Sequence, residues 1–234
     1  MKPLVIFRHA PGEGPGYLGE VLKRRGVPFE MICVDQGQAM PDTVDAWSGL
    51  VFMGGPMSVN DPLPWIGQAT GLIRAAREQD LPVLGHCLGG QLISKALGGT
   101  IARNPVQEIG WGPVTQVAAA AGRRYFADLP PTFEVFHWHS ETFSIPEGAT
   151  LVLTGPHCRH QGFVMGRMLG LQCHIEMTAR MIENWIGNTE DHALGSTASV
   201  QTAEAMRTGM DHRLAALHRV ADAIYGVWLD QLCG

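Results

Sequence analysis

The sequence predicts an α/β fold with an open, mostly parallel sheet, and three observations indicate it. Short apolar runs alternate with segments of helical periodicity through the first half of the chain. The run Gly49–Met53 (GLVFM) is almost continuously apolar, which is typical of a parallel strand buried on both faces. The second half contains short apolar runs separated by turns, and these predict antiparallel strands at an edge of the sheet.

The first half of the chain alternates between predicted strands and predicted helices. Strands are predicted at four apolar runs: Pro3–His9, Pro28–Val34, Gly49–Met53 and Leu81–Gly85. Helices are predicted at three segments with helical spacing of their apolar residues: Tyr17–Arg25, Pro64–Gln79 and Leu88–Leu97. Gly26 ends the first helix, and the pair Gly98 and Gly99 ends the third. This order of elements is that of a parallel sheet covered by helices.

The second half is predicted to add antiparallel strands and then helices. Its strand-like runs are Glu108–Val117, Phe133–Trp138, Thr150–Thr154, Gly162–Met165 and Met168–Cys173. Gly166 and Arg167 are predicted at the tip of a hairpin. The chain becomes helical from Thr178, and Asp211–Leu232 carries an amphipathic stripe that we expect to pack on the sheet, with a partner-binding face as the alternative. Residues 1–180 are therefore predicted to form one domain, and residues 181–234 a C-terminal helical extension packed on it.

Composition and charge argue against several classes of protein. With 45% hydrophobic and 17% charged residues, the chain of 234 residues is predicted to form a compact globule. A net charge of −5 without a basic block is unfavourable for binding nucleic acid or a membrane surface. The apolar runs are shorter than the roughly 18 residues of a spanning helix, and the N-terminal run is too short for a signal peptide. We therefore expect a cytoplasmic protein.

The five cysteines indicate neither a disulfide framework nor a zinc site. Their number is odd, their spacings are wide, and no two form a Cys-x-x-Cys pair. His157, Cys158 and His160 lie close together, but no second cluster matches them. The sequence therefore predicts no metal and no cofactor, and the question becomes which cysteine, if any, is a nucleophile.

The segment GHCLGGQ, residues 85–91, falls where a predicted buried strand ends and a helix begins. A sharp strand-to-helix turn brings backbone close to both sides of the residue at its tip, so small residues are needed two positions before and after it. Gly85 and Gly89 meet this need around Cys87. Free amide groups at a helix N-terminus favour a thiolate. Cys87 is thus the candidate nucleophile and the amide of Leu88 a candidate oxyanion donor; the alternative is a glycine-containing turn around a buried cysteine.

A candidate base follows the last predicted strand. His174 and Glu176 are two positions apart, so their side chains project to the same face if the segment is extended. Glu176 can then accept a hydrogen bond from one imidazole nitrogen while the other nitrogen faces the thiol, which is the arrangement of an acyl-transfer triad. The alternative is a histidine with satisfied hydrogen bonds at a solvated strand end.

The pair Gly54 and Gly55 follows the third predicted strand. Glycine lets the amide of residue 55 approach a ligand closely. In open α/β sheets, ligands bind beyond the carboxyl ends of the strands. Because this pair, Cys87 and His174 all fall at such strand ends, we expect them to form one site.

Five segments together resemble the class I glutamine amidotransferase family, most closely its standalone members similar to the amidotransferase domain of GMP synthase. They are MGGPMSV, GHCLGGQ, EIGW, HWHSETFSIPEG and GLQCHIEMT, and they span roughly residues 45 to 180. The resemblance implies a flavodoxin-like sheet and a catalytic triad of Cys87, His174 and Glu176. It also implies that Gly55 and Leu88 supply the two oxyanion amides and that Gln91 helps to hold glutamine.

One segment departs from the family's pattern. The family usually has Ser-His-Gly-Asp or Asn-His-Gly after the strand near residue 136, whereas this chain has Trp138, His139, Ser140 and Glu141. His139 matches, and Ser140 stands at the usual glycine. His139, Ser140 and Gly54 are the remaining candidates for the substrate pocket. We expect His137 and His139 to line a pocket rather than to supply a second catalytic base.

The resemblance implies hydrolysis of the side-chain amide of glutamine through a γ-glutamyl thioester, with ammonia released for an acceptor. A synthetase that uses the ammonia is the expected partner. Two alternatives stay open. One is a hydrolase that acts on other γ-glutamyl compounds, such as γ-glutamyl peptides, with the same triad. The other is a binding or regulatory protein that retains the fold without useful turnover.

Overall fold

The computed structural model describes residues 2–117, 120–189, 194–195 and 197–233. In this part of the chain, nine strands form a single sheet. The strands are β1 (Leu4–Arg8), β2 (Phe29–Cys33), β3 (Gly49–Phe52), β4 (Val83–His86), β5 (Ile101–Gln116), β6 (Thr132–Phe143), β7 (Thr150–Thr154), β8 (Gly162–Met165) and β9 (Met168–Leu171). The helices are α1 (Gly16–Arg24), α2 (Pro64–Glu78), α3 (Leu88–Ala96), α4 (Ala120–Phe126), α5 (Ala179–Gly187), α6 (Ala203–Arg207) and α7 (Met210–Leu229).

The sheet has a parallel half and an antiparallel half. Its strand order is β2-β1-β3-β4-β9-β8-β7-β5-β6. The first five strands in that order are mutually parallel, and every pairing from β9 to β6 is antiparallel. The predicted fold class, an open and mostly parallel flavodoxin-like sheet with antiparallel edge strands, is confirmed. The predicted hairpin tip at Gly166 and Arg167 is confirmed as well, because Met165 pairs with Met168.

Strand register brings three loops to one edge of the sheet. Phe52 in β3 pairs with Gly85 in β4, and Gly85 pairs with Gly170 in β9. The carboxyl ends of these three neighbouring strands therefore lie side by side. The segments that follow them, which begin at Met53, Cys87 and Gln172, meet above this edge.

Two hydrophobic clusters cover the two faces of the sheet. Along β1, Leu4 and Ile6 belong to one cluster, whereas Val5 and Phe7 belong to the other, as the two-residue period of a strand requires. The buried residues of α7 lie in the first cluster together with those of α1 and α5. The amphipathic stripe of the C-terminal segment thus packs on the sheet, and the proposed domain boundary at residue 180 stays a prediction. No helix in the described ranges is long and apolar enough to cross a membrane.

Strands β5 and β9 differ from their predicted extents. β5 begins at Ile101 and contains an irregularity between Arg103 and Glu108, because Pro105 cannot donate to a neighbouring strand. The bulge interrupts the alternation of polar and apolar residues that would mark the strand in the sequence. β9 ends at Leu171 rather than at Cys173, because the next residues turn away and pair with β6 instead.

Candidate active site

Cys87 lies at the turn between β4 and α3 in an unusual backbone conformation. Its φ of 49° and ψ of −106° lie outside the regions that residues with side chains ordinarily adopt. Its amide donates to the carbonyl of Leu171 over 2.8 Å, and its carbonyl accepts from the amide of Gln91 over 3.0 Å. The surrounding structure therefore imposes this conformation, as expected for strain stored at a functional site.

Gly85 and Gly89 allow the backbone segments around this turn to touch. A Cβ atom at Gly85 would collide with the backbone of Gly89, and one at Gly89 would collide with the carbonyl oxygen of Phe52. Backbone atoms cannot move aside as the end of a flexible side chain can. Both positions therefore exclude larger residues, which is the steric requirement predicted from the sequence.

The structure brings His174 and Glu176 together and holds them rigidly. His174 Nδ1 lies 2.6 Å from Glu176 Oε1, and both side chains are buried. The backbone of His174 pairs with Phe136 of β6 in an isolated bridge. The indole of Trp185 contacts the imidazole edge-on, with 4.9 Å between ring centroids. The other ring nitrogen, Nε2, makes no hydrogen bond. His174 and Cys87 line the same pocket.

The His174–Glu176 pair is held in its charged form. Burial alone lowers the pKa of His174, but the charge of Glu176 and the contact with Cys87 outweigh it, so the pKa lies well above its ordinary value. Burial likewise raises the pKa of Glu176, but His86 and His174 outweigh it and hold that pKa at about 2. An imidazolium beside the thiol can stabilise a thiolate and later donate a proton to a leaving group.

A second histidine and a tyrosine lie behind Glu176. Oε2 of Glu176 is 3.7 Å from Nε2 of His86, and the same nitrogen is 2.9 Å from the hydroxyl of Tyr225 in α7. Burial lowers the pKa of His86. The C-terminal helix thus contacts the candidate triad through His86, a connection that the sequence does not reveal.

Gly54, Gly55 and Leu88 lie around the candidate nucleophile, where the sequence predicts them. A Cβ atom at Gly55 would lie 2.7 Å from Cδ2 of Leu88, so the two residues are in close contact. A Cβ atom at Gly54 would collide with the carboxylate of Glu13 and approach Cε1 of His174 to 3.3 Å. Gly54 is therefore packed against the candidate base, and Gly55 lines two pockets that border Cys87.

Gln172 is a site residue that the sequence reasoning missed. Its side-chain amide donates to Cys87 Sγ over 3.6 Å, and its carbonyl oxygen accepts from Gln91 Nε2 over 3.2 Å. Gln91 also donates to the carbonyl of Glu141 over 3.3 Å. The signal was present in the sequence, because residues 172, 174 and 176 share the two-residue period that places His174 and Glu176 on one face.

A polar pocket opens on one side of Cys87. It has a volume of about 390 Å³. Its lining residues include the remaining substrate-pocket candidates, Gln91, His139 and Ser140, and the charged residues Arg103 and Glu141. This pocket offers hydrogen-bond donors and both signs of charge, which suits the α-amino and α-carboxylate groups of an amino acid.

A second pocket also borders Cys87 and lies next to His174. It has a volume of about 420 Å³, and Trp138 and Trp185 form its aromatic wall. Glu13, from the loop after β1, also lines it, and burial raises the pKa of this carboxyl group to about 7. Glu13 could not be found from the sequence, because no motif marks the first forty residues.

Within the described part of the chain, three buried residues of β5 and β6 lie close enough together to hold a metal ion. They are Glu108, His137 and His139. His139 Nε2 lies 2.9 Å from Glu108 Oε2, and its Nδ1 lies 3.0 Å from the carbonyl of Glu141. Both ring nitrogens of His139 are therefore engaged away from Cys87, although the residue lines the polar pocket.

Comparisons with known proteins identify the family of this chain. The family described as glutamine amidotransferase class-I matches residues 18–188. The glutamine amidotransferase-like protein YfeJ of Salmonella typhimurium is 30% identical over 188 residues, which are 78% of this chain and 79% of YfeJ. A GMP synthase of Thermomicrobium roseum is 33% identical over 130 residues, 55% of this chain but 23% of that enzyme. The chain therefore spans only about a quarter of that relative.

Solved structures are similar over nearly the whole chain. A glutamine amidotransferase from Methylobacillus flagellatus has a TM-score of 0.94 and 38% identity, covering 99% of this chain and 95% of its own. Another from Thermotoga maritima has a TM-score of 0.87 and 27% identity, covering 97% of this chain and 98% of its own. From the family match and these likenesses, the chain belongs to the class I glutamine amidotransferase family.

Proposed function

We propose that this protein hydrolyses the side-chain amide of glutamine with Cys87 as nucleophile, His174 as base and acid, and Glu176 as the group that orients the base. The observation that carries the proposal is the strained turn at Cys87 beside the buried His174–Glu176 pair. A positive φ at a cysteine is costly, and it persists where it serves a function. The geometry therefore favours turnover over a purely regulatory role.

The chemistry proceeds in two steps. The Cys87 thiolate attacks the amide carbon, and the amides of Gly55 and Leu88 stabilise the oxyanion, each such donor contributing about 3 kcal/mol. His174 donates a proton to the leaving nitrogen, so ammonia departs and a γ-glutamyl thioester remains. Water that is deprotonated by His174 then attacks the thioester, which regenerates the thiol and releases glutamate.

The ammonia is proposed to serve a synthetase as acceptor enzyme. GMP synthases are among the relatives, and in Thermoplasma acidophilum the matching relative is one subunit of such a synthase. We also propose that the protein is cytoplasmic, because the reducing environment there keeps Cys87 a free thiol.

A second candidate function has a specific observation in its favour. The aromatic pocket beside His174 shares Cys87 and Gly55 with the polar pocket and offers space for a leaving group. Ammonia does not need a cavity of about 420 Å³ with two tryptophans. A γ-glutamyl amide or peptide with a larger amine would fill it, and the same triad would cleave it.

Steady-state turnover of glutamine by the wild-type chain and by Cys87→Ala tests the first proposal. We expect Cys87→Ala to lower kcat by more than about 1,000-fold, because a triad without its nucleophile loses the covalent route. Cys158→Ala is the matched control, since Cys158 is also a buried free thiol, and it should retain wild-type turnover. Undiminished turnover by Cys87→Ala would refute the nucleophile assignment.

A substrate panel separates the two candidate functions. Glutamine is compared with γ-glutamyl-p-nitroanilide and γ-glutamyl dipeptides by kcat/KM. If glutamine is the better substrate, the amidotransferase proposal holds. A clear preference for the larger amines, together with loss of that preference in Trp185→Ala, would replace it with γ-glutamyl hydrolysis.

A further inference from the structure

We propose that Glu108, His137 and His139 form a binding site for a divalent transition-metal ion, with Zn²⁺ as the ion that suits the ligands best. Each residue offers one ligand atom, and the three atoms lie within 4.8 Å of one another. Strand register accounts for the cluster. Glu108 of β5 pairs directly with His139 of β6, and His137 projects from β6 on the same face, two residues earlier.

Both buried ring nitrogens of His137, Nδ1 and Nε2, lack hydrogen-bond partners. The three side chains of the cluster are at most 5% exposed. Buried polar atoms almost always have a partner, so an imidazole with two free nitrogens has one available for an ion.

The neighbours of the ligands orient them toward a common centre. A backbone carbonyl can only accept, so the 3.0 Å contact with the carbonyl of Glu141 requires a proton on Nδ1 of His139. In the neutral tautomer the lone pair then lies on Nε2, which is 2.9 Å from Oε2 of Glu108. Gln161 Nε2 donates to Glu108 Oε2 over 2.7 Å. Metal-bound histidines and carboxylates usually have such hydrogen-bonded supports.

The donor set and the adjoining space decide the type of ion. Two imidazoles and a carboxylate form a ligand set that Zn²⁺ takes in enzymes, with the fourth position open. A cavity of about 100 Å³ borders Glu108 and His137 and gives room for a water molecule on the ion. The carboxylate of Glu108 also needs positive charge, and within the described residues its ion-pair partners are these two histidines.

The ion would act as a clamp between β5 and β6. Trp138 and Ser140 lie beside the two histidine ligands on β6 and line the pockets around Cys87. Zn²⁺ that holds β6 against β5 would therefore fix the walls of the substrate pocket. The proposal concerns a site separate from the triad and does not depend on the proposed reaction.

The test uses the full-length chain with Cys87→Ala as reference, because the pocket thiol could bind zinc itself. After removal of metal with a chelator, Zn²⁺ is added and the bound metal is measured by equilibrium dialysis and elemental analysis. We expect one Zn²⁺ per chain and a higher midpoint of thermal unfolding. With Co²⁺ as probe, the visible spectrum should show the strong bands of a four-coordinate ion rather than the weak bands of the hydrated ion.

Variants of the ligands and their neighbours supply the controls. His137→Leu and the isosteric Glu108→Gln, each in the reference background, should lose the bound ion and the rise in midpoint. Gln161→Leu should weaken affinity by about 10- to 100-fold, the usual effect of removing a support of a ligand. His212→Ala, an exposed histidine of α7, should bind as the reference does.

Two results would overturn the proposal. The first is a reference chain that binds no Zn²⁺ or gives only the spectrum of hydrated Co²⁺, which would leave a plain Glu108–His139 ion pair. The second is undiminished binding in a folded ligand variant. Circular dichroism verifies folding, and if both ligand variants unfold, the spectrum of the reference and the affinity of Gln161→Leu decide.

Discussion

Cys87 combines an unusual backbone with an unusual set of neighbours. Its sulfur lies 3.6 Å from the amide of Gln172 and 3.9 Å from the carbonyl of Trp138. Gln91 holds that amide by donating to its carbonyl oxygen. At the scale of single residues, the sulfur of the candidate nucleophile is thus positioned by a glutamine that carries no charge.

Replacing Gln172 with leucine should slow the reaction. The variant removes the donor to Cys87 Sγ and one of the two acceptors of Gln91. We expect kcat for the preferred substrate to fall about fivefold, because one hydrogen bond is typically worth about 1 kcal/mol. The rate at which iodoacetamide alkylates Cys87 should fall with it. Unchanged values of both rates would show that Gln172 only fills space.

Glu13 should make stability depend on pH. Its pKa is raised from 4.5 to about 7 by burial, so the folded protein holds a proton that the unfolded chain releases. Binding of this proton stabilises the folded protein. The stabilisation is fully present below pH 4.5 and is lost as the pH rises through 7. Glu13→Gln lacks this titration. Between pH 5 and pH 8, the free energy of unfolding of the wild type should therefore fall by about 1–3 kcal/mol relative to that of the variant, and urea unfolding measures the difference. Parallel pH profiles would contradict the assignment.

The turn between β4 and α3 is the element on which the site depends. It requires that α3 start directly against β3 and β9, and glycines at three positions allow this approach. They are Gly85, Gly89 and Gly90, whose missing side chains would collide with backbone atoms. The elbow is therefore a property of element packing as much as of the cysteine at its tip.

Alanine at Gly89 should be strongly destabilising. The new methyl group would meet the carbonyl of Phe52, which β3 holds in place, so the free energy of unfolding should fall by about 3 kcal/mol or more. Gly71→Ala is the control, since Gly71 lies in α2 with open space around it, and alanine there should stabilise by about 0.5–1 kcal/mol. Denaturant unfolding measures both. Equal effects of the two substitutions would argue against a close-packed elbow.

The whole molecule links its C-terminal helix to the candidate triad. Tyr225 of α7 contacts His86, which faces Glu176 from the side opposite His174. The helix therefore contacts the candidate triad as well as covering the sheet.

Removing the hydroxyl of Tyr225 should test this link. Tyr225→Phe should lower stability by about 1 kcal/mol and kcat by about fivefold, with KM unchanged, since His86 loses the partner that fixes it beside Glu176. Tyr125→Phe is the control, because Tyr125 is also buried and accepts a hydrogen bond from Gln231, outside the triad. If both variants lose stability equally and neither loses kcat, α7 has no role in orienting the triad.

Sequence reasoning reached the fold and the position of the candidate site because both depend on local patterns. Apolar runs and helix stops identify β1, α1, β3 and β4, and glycines around Cys87 identify the elbow. It did not reach what depends on the pairing of distant segments. Glu13 approaches His174 only through the packing of the loop after β1, and Glu108 meets His139 only through a register set by the bulge in β5.

The central claim is that Cys87 is the nucleophile for a glutamine-like amide. Diazo-oxonorleucine, a glutamine-mimicking electrophile, tests it most directly when the labelled protein is analysed by intact mass and peptide mapping. We expect one adduct, on Cys87, which is absent from Cys87→Ser and retained in Cys173→Ser, because burial raises the pKa of the Cys173 thiol and keeps it protonated. An adduct on Cys173 or Cys158, or no adduct on the wild-type chain, would contradict the account.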